Sequence, residues 1–202
     1  EVPNVLAVHP SFPAKTLACF VEHCKRSGAS VVRYASPGIG SNGHLAMEYL
    51  SSVAGIKLEH VVYRGRSRMI KDVVAGIVPV VMDNLPTHLR HIRSGSLRAL
   101  GVSSSRRWFA APEMPTIAEQ GYVDFDAALW WYVAAPAGTR LELIDKLSDG
   151  IVKGIKTEDA IRRIRDAGAF ERAGGAADLT RHMTAENRKW KKVIDAAKLQ
   201  PQ

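Results

Sequence analysis

YASPGIGSNGHLAMEYL, residues 34–50, leaves a β-branched run (SVVRYA, 30–35) and enters an amphipathic helical pattern. Between them Gly38, Gly40 and Gly43 spell G-x-G-x-x-G. A strand end, a glycine-rich turn and a helix start leave several backbone N–H groups directed at one spot. The helix dipole adds partial positive charge there, which suits a phosphate or a carboxylate. Ser36 and Ser41 add hydroxyls, either Gly40 or Ser41 can cap the helix, and His44 falls in its first turn. These residues, Ser36, Gly38, Gly40, Ser41 and His44, form the first candidate anion site. A tight turn with a capped helix and no ligand is the plainer reading.

Outward from this stretch, strands alternate with helices. VLAVH (5–9) precedes a helical pattern at 13–28, with Leu17, Phe20, Val21 and Cys24 on one face and Gly28 as its stop. A helix over 41–54 places Met47, Leu50, Val53 and Ala54 on one side. Then follow a strand at 57–65, a helix at 67–76, and a strand at 77–84 in which Pro79 marks an amide that is not needed. A helix at 85–95 and a strand at 96–104 close the series. This order predicts crossover units and a largely parallel sheet. Ligands of such sheets lie beyond the carboxyl ends of the strands. SPGIGSNGH, YRGRSR and DNLP fall at those ends. Residues 105–127 read as loop with a short helix. ALWWYVAAPAGT (128–139) reads as a long apolar strand, and the remainder as three helices, the last capped by Asp178 or Thr180.

The strand end at 80–84 carries the second candidate pair, Asp83 and Asn84. A carboxylate and an amide there suit a ligand hydroxyl, ammonium or bridging water, or else an N-cap for LPTHLRHI. Arg64 can pair bidentately with a carboxylate. Trp130 and Tyr132 belong to an aromatic cluster that reads as core, with one ring lining a cleft.

Several function classes are disfavoured. The chain carries a net charge of +8 over 202 residues, but its basic residues are scattered, which argues against a nucleic-acid surface. It contains no apolar run long enough to span a membrane. Cys19 and Cys24 point about 140° apart on one predicted helix, so they cannot bridge. They read as unpaired core thiols, and no cluster has the spacing of a metal site. A nucleotide reading of G-x-G-x-x-G lacks the acidic residue that holds a ribose. The strand after it ends Tyr63-Arg64-Gly65-Arg66, which leaves only an NADP-binding oxidoreductase as the alternative. G-x-S-x-G is absent, so hydrolysis has no nucleophile elbow. No catalytic residue, cofactor or metal is expected.

In order, VPNVLAVHPSFPAKTL, YASPGIGSNGHLAMEYLSSVAGI, HVVYRG, VVMDNLPTHLRHIRSGSLRALGVSS, APEMPTIAEQGY, LWWYVAAPAGT and AENRKWKKVIDAA resemble the Bug family of periplasmic solute-binding proteins. These are the extracytoplasmic receptors of tripartite tricarboxylate transporters. The resemblance implies an α/β fold of the type II periplasmic-binding-protein kind. One complete α/β lobe would span 5–127, and 128–202 would form the C-terminal portion of the other lobe, with 1–4 leading in at the hinge. It implies capture of a small carboxylate (a di- or tricarboxylate, an acidic amino acid or an aromatic acid) for a membrane permease. The loop 36–44 would face Asp83 and Asn84 across the cleft. Trp130 matches the family's tryptophan on the returning strand. The signal peptide and first-lobe segment of the family have no counterpart here, so a homo-oligomer completing that lobe, or a non-transport interaction module, is also an expectation. Local departures are Val62 where proline is usual, Arg66 and Arg68 where small residues are usual, and Tyr132 in place of glycine.

Overall fold

The computed structural model of the chain describes residues 1–26 and 31–199. Gly28 and Ser30, expected to end the first helix and begin the second strand, lie outside the described residues. The chain divides into two compact units, Pro3–Leu129 with Val193–Gln202, and Glu1–Val2 with Trp130–Lys192.

The larger unit is built on five strands: β1 (Asn4–Val8), β2 (Val32–Ser36), β3 (Leu58–Val62), β4 (Val80–Asn84) and β5 (Arg98–Val102). Between them come α1 (Leu17–Arg26), α2 (Asn42–Ala54), α3 (Arg66–Val74) and α4 (Leu85–Arg93). The sheet order is β3-β2-β4-β1-β5. β2 runs parallel to both β3 and β4. β1 runs antiparallel to β4 and β5, so the sheet is mixed rather than parallel throughout. That reversal brings the start of β1 level with the carboxyl end of β4, pairing Asn4 with Asn84 and Val5 with Asp83.

Central position explains composition. β1 is fully buried along its length, as are Val80, Val81 and Met82 of β4. Strands covered on both faces need uninterrupted apolar runs rather than alternation. The outer strand β3 is only partly buried. β5 has its free edge covered by residues 115–117, through Val102 N–H to Pro115 O at 3.0 Å and Ile117 N–H to Val102 O at 2.9 Å. Pro79 precedes β4, and its carbonyl accepts from His9 N–H at 2.8 Å. α1 buries Leu17, Phe20, Val21 and Cys24 as its periodicity requires, whereas Cys19 is exposed. Val53, assigned by periodicity to the inner face of α2, is exposed as well.

The smaller unit holds α5 (Leu141–Ile155), α6 (Glu158–Asp166) and most of α7 (Ala176–Ala197). α7 begins two residues before Asp178, and Asp178 Oδ2 reaches back to accept from Gly175 N–H at 3.2 Å. This is the return half of a capping box, not an N-cap. Residues 130–139 form no strand. An extended segment becomes a strand only when neighbours take its backbone groups, and Trp131, Tyr132 and Val133 lie exposed. α5 leaves Leu143, Leu147 and Ile151 exposed at helical spacing. No helix among the described residues is long and apolar enough to cross a membrane.

Candidate functional site

The three glycines that follow β2 are not equivalent. Gly40 sits at φ +72°, a left-handed conformation that costs most residues about 1 kcal/mol or more. Gly43 is needed for space: a Cβ there would lie 2.1 Å from the carbonyl oxygen of Met82. The start of α2 is therefore pressed directly against the end of β4. Gly38 is uncrowded, with no atom within 4 Å of a Cβ position.

Ser41 is the N-cap of α2, its hydroxyl accepting from His44 N–H at 3.3 Å. Other donors of the turn are engaged within it. Gly40 N–H donates to His44 Nδ1 at 3.0 Å, Ser41 N–H to Gly38 O at 3.2 Å, and Gly38 N–H weakly to Ser36 Oγ at 3.4 Å. The amides of Asn42 and Gly43 occupy the first two helical positions, where no carbonyl of their own helix can receive them. The anion-binding potential of the turn rests on these two. Neither was singled out in the sequence as a donor of its own.

Beneath the turn lies a stack of rings. His44 and His60 pack face to face at 4.1 Å between centroids, and Tyr34 lies 4.9 Å from His60. Ser36 Oγ and His60 Nε2 are hydrogen-bonded at 2.6 Å. Tyr34 donates to Glu48 Oε1 at 2.8 Å, and the same oxygen lies 3.9 Å from His44 Nε2. Burial holds the His44 imidazole below the ordinary histidine range, with Glu48 opposing. Burial, then the neighbouring His44, pushes His60 down to about 4. Sequence reading missed His60 because the 24 residues from Ser36 carry no local signal. Only the parallel pairing of β2 with β3 unites them.

The His60 shift predicts an acid limb in stability. A base whose folded pKa lies below its unfolded value contributes fully above about 6.5. That contribution is lost as pH falls from there toward about 4. The expected loss is about 2 kcal/mol, discounted for the partial exposure of the ring. Urea unfolding at pH 7 and pH 4.5 measures it. His60→Gln should flatten this limb, and an equally steep limb in the variant refutes the assignment.

Asp83 and Asn84 end β4. Asp83 is 1% exposed. Its carboxylate accepts from Arg66 Nε at 3.2 and 3.3 Å and pairs with the fully buried His88 at 3.2 Å. Burial alone would raise its pKa. The His88 hydrogen bond, the Asn84 amide and Arg66 together hold it below the usual carboxylate range. Arg66, at the first position of α3, thus has a partner inside the fold. Asn84 precedes α4 without making a side-chain cap.

The sheet edge is tied together by Asn4, which went unnoticed in the sequence. Its N–H donates to Ser103 Oγ at 2.9 Å, and its fully buried amide donates to Asn42 Oδ1 and to Ala127 O at 3.1 Å. Arg64 is exposed and lines an open concavity of about 530 Å³ with Val62, Tyr63, Arg68 and Asp72. Trp130 and Tyr132 belong to the smaller unit. Trp130 stands edge-on to His182 at 4.7 Å and donates to Glu186 at 3.4 Å, while Tyr132 is exposed. Among the described residues, no three His, Cys, Asp or Glu side chains are grouped to hold a metal ion.

A family profile described as "Tripartite tricarboxylate transporter family receptor" matches residues 1–199. The chain is 32% identical over 195 residues to the protein BugT of Bordetella pertussis, covering 96% of this chain and 59% of that relative. Among solved structures, "R. palustris Rpa4515 with adipate" is 31% identical with a TM-score of 0.82, over 100% of this chain and 67% of that one. The periplasmic binding protein BugD is 25% identical with a TM-score of 0.77, over 100% of this chain and 68% of that one. The chain thus spans about three fifths of the curated relative's length and two thirds of the solved structures. The fold is the α/β fold of type II periplasmic binding proteins.

Proposed function

The chain belongs to the tripartite tricarboxylate transporter receptor family, and on that premise we propose that it serves in solute capture, taking a carboxylate of a small organic acid at the Ser36–His44 turn. The observation that carries this is the start of α2. Ser41 caps it, Gly43 brings it against the end of β4, and the amides of Asn42 and Gly43 have no intrahelical acceptor. Partial positive charge and two directed N–H groups at the carboxyl edge of a sheet suit a carboxylate. Ser36 shapes the turn from below. Asn84, half-buried at the end of β4, gives the same edge an amide that suits a hydroxyl or water, while Asp83 is turned inward to His88 and Arg66.

Binding of this kind involves no catalytic step. The proposed setting is the periplasm, with the bound acid passed to a membrane permease. A relative of 31% identity is described with adipate, so adipate and shorter dicarboxylates are the first ligands to test. At a hundredfold excess over Kd a specific ligand adds about 2.7 kcal/mol of stability, a rise of several degrees in melting temperature. Ser41→Ala, which removes the cap, should abolish most of that rise. No shift with any dicarboxylate, acidic amino acid or aromatic carboxylate at millimolar concentration would count against capture by this chain.

A further inference from the structure

The turn that the receptor reading assigns to the ligand also holds one of its own donors captive. Gly40 N–H points to His44 Nδ1 at 3.0 Å. That nitrogen must carry its lone pair, so the ring proton sits on Nε2, 3.9 Å from Glu48 Oε1. We propose that His44 is a positioning residue of the anion site: neutral, it keeps the Gly40 amide inside the turn, and protonated at Nδ1 it releases that amide to a carboxylate. Anion binding here would then take up a proton. The inference rests on the receptor reading for its ligand, but not for the coupling between His44 and Gly40.

Four features support it. A proton on Nδ1 turns an acceptor into a donor, and two N–H groups cannot share 3.0 Å. Gly40 can respond, because it lacks a side chain, sits at φ +72°, and has no atom within 4 Å of a Cβ position. The groups facing the imidazole allow one added charge: Glu48 from α2 attracts it, while Tyr34 from β2 is neutral and hydrogen-bonded to that same carboxylate. Finally, His60 from β3 stacks at 4.1 Å, and two cations at that distance repel strongly, so the stack accepts one proton. His44, beside Glu48, takes it in preference to His60. A carboxylate arriving above the turn adds a second negative charge on the opposite side, which favours the same protonation.

Linkage makes this reciprocal: the ligand raises proton affinity at His44 as much as the proton raises ligand affinity. In the free protein, the 15N–1H signal of Gly40 should titrate with the His44 ring, at the same midpoint. Calorimetry with adipate at pH 6.5, in two buffers of different ionisation enthalpy, should show net proton uptake on binding. Affinity should rise by up to about tenfold per unit fall in pH across the window between the free and bound midpoints of His44. His44→Gln, uncharged at every pH, should abolish the uptake, and Glu48→Gln should move the window to lower pH. A Gly40 signal that ignores the His44 titration overturns the proposal whatever adipate does, as does unchanged uptake in folded His44→Gln. Failure of adipate to bind at any pH, with Gly40 still following His44, counts against the receptor reading alone.

Discussion

Gly43→Ala is expected to destabilise the larger unit by about 3 kcal/mol, the upper range for forcing a methyl group into a packed interior. The new Cβ would stand 2.1 Å from a backbone carbonyl of the central sheet, which cannot swing away as a side-chain tip can. α2 must therefore lift off β4, carrying Ser41, Asn42 and His44 with it. A loss of roughly 6–12 °C in melting temperature should follow for a chain of this size. Gly40→Ala is the informative contrast. It meets no atom and suffers only the left-handed backbone, so about 1 kcal/mol is expected. Equal effects at the two positions would show that space at Gly43 is not what binds the turn to the sheet.

Asp83→Ala should cost about 3–5 kcal/mol. Its carboxylate is buried against His88 and Arg66. Removing it leaves a fully buried imidazole without its partner and a cation with nothing to neutralise it. Arg66→Ala should cost far less, about 1 kcal/mol, because that side chain is 46% exposed and water can replace it on one side only. Urea midpoints for the two variants and for Asp83→Ala combined with His88→Leu separate the buried pair from the half-exposed one. If Asp83→Ala unfolds at the wild-type midpoint, the residue is free for a ligand, and its role as an internal tie is refuted.

Local chemistry was legible in the sequence and distant pairing was not. The glycine turn, the Ser41 cap and the inner face of α1 each depend on residues within about seven positions. Those follow from periodicity and capping rules. The reversal of β1 did not, because an apolar run of five residues has no direction written into it. Only its partners set that, and they lie at 80–84 and 98–102. The aromatic stretch at 128–139 looked like a strand for the same reason that it is not one here. Its side chains have strand character, but strand identity comes from a neighbour's hydrogen bonds. Within the site, Arg66 looked like a departure from family pattern, and Asp83 like a ligand group. Each is explained by the other, across 17 residues and two elements. His60 and Asn4 were invisible because each acts through a partner on a different strand.

The reversed first strand also governs the order in which the chain can assemble as it is synthesised. β1 leaves the ribosome ahead of both its neighbours, which are made some 75–95 residues later. At about 5–20 residues per second the delay is on the order of 5–20 s. During that interval the most apolar strand of the chain has no native edge to join. β2 and β3, only 26 positions apart, can pair first. The centre of the sheet is therefore laid down last, by insertion between β4 and β5, and a chain held unfolded until that moment is the one that avoids the wrong neighbour.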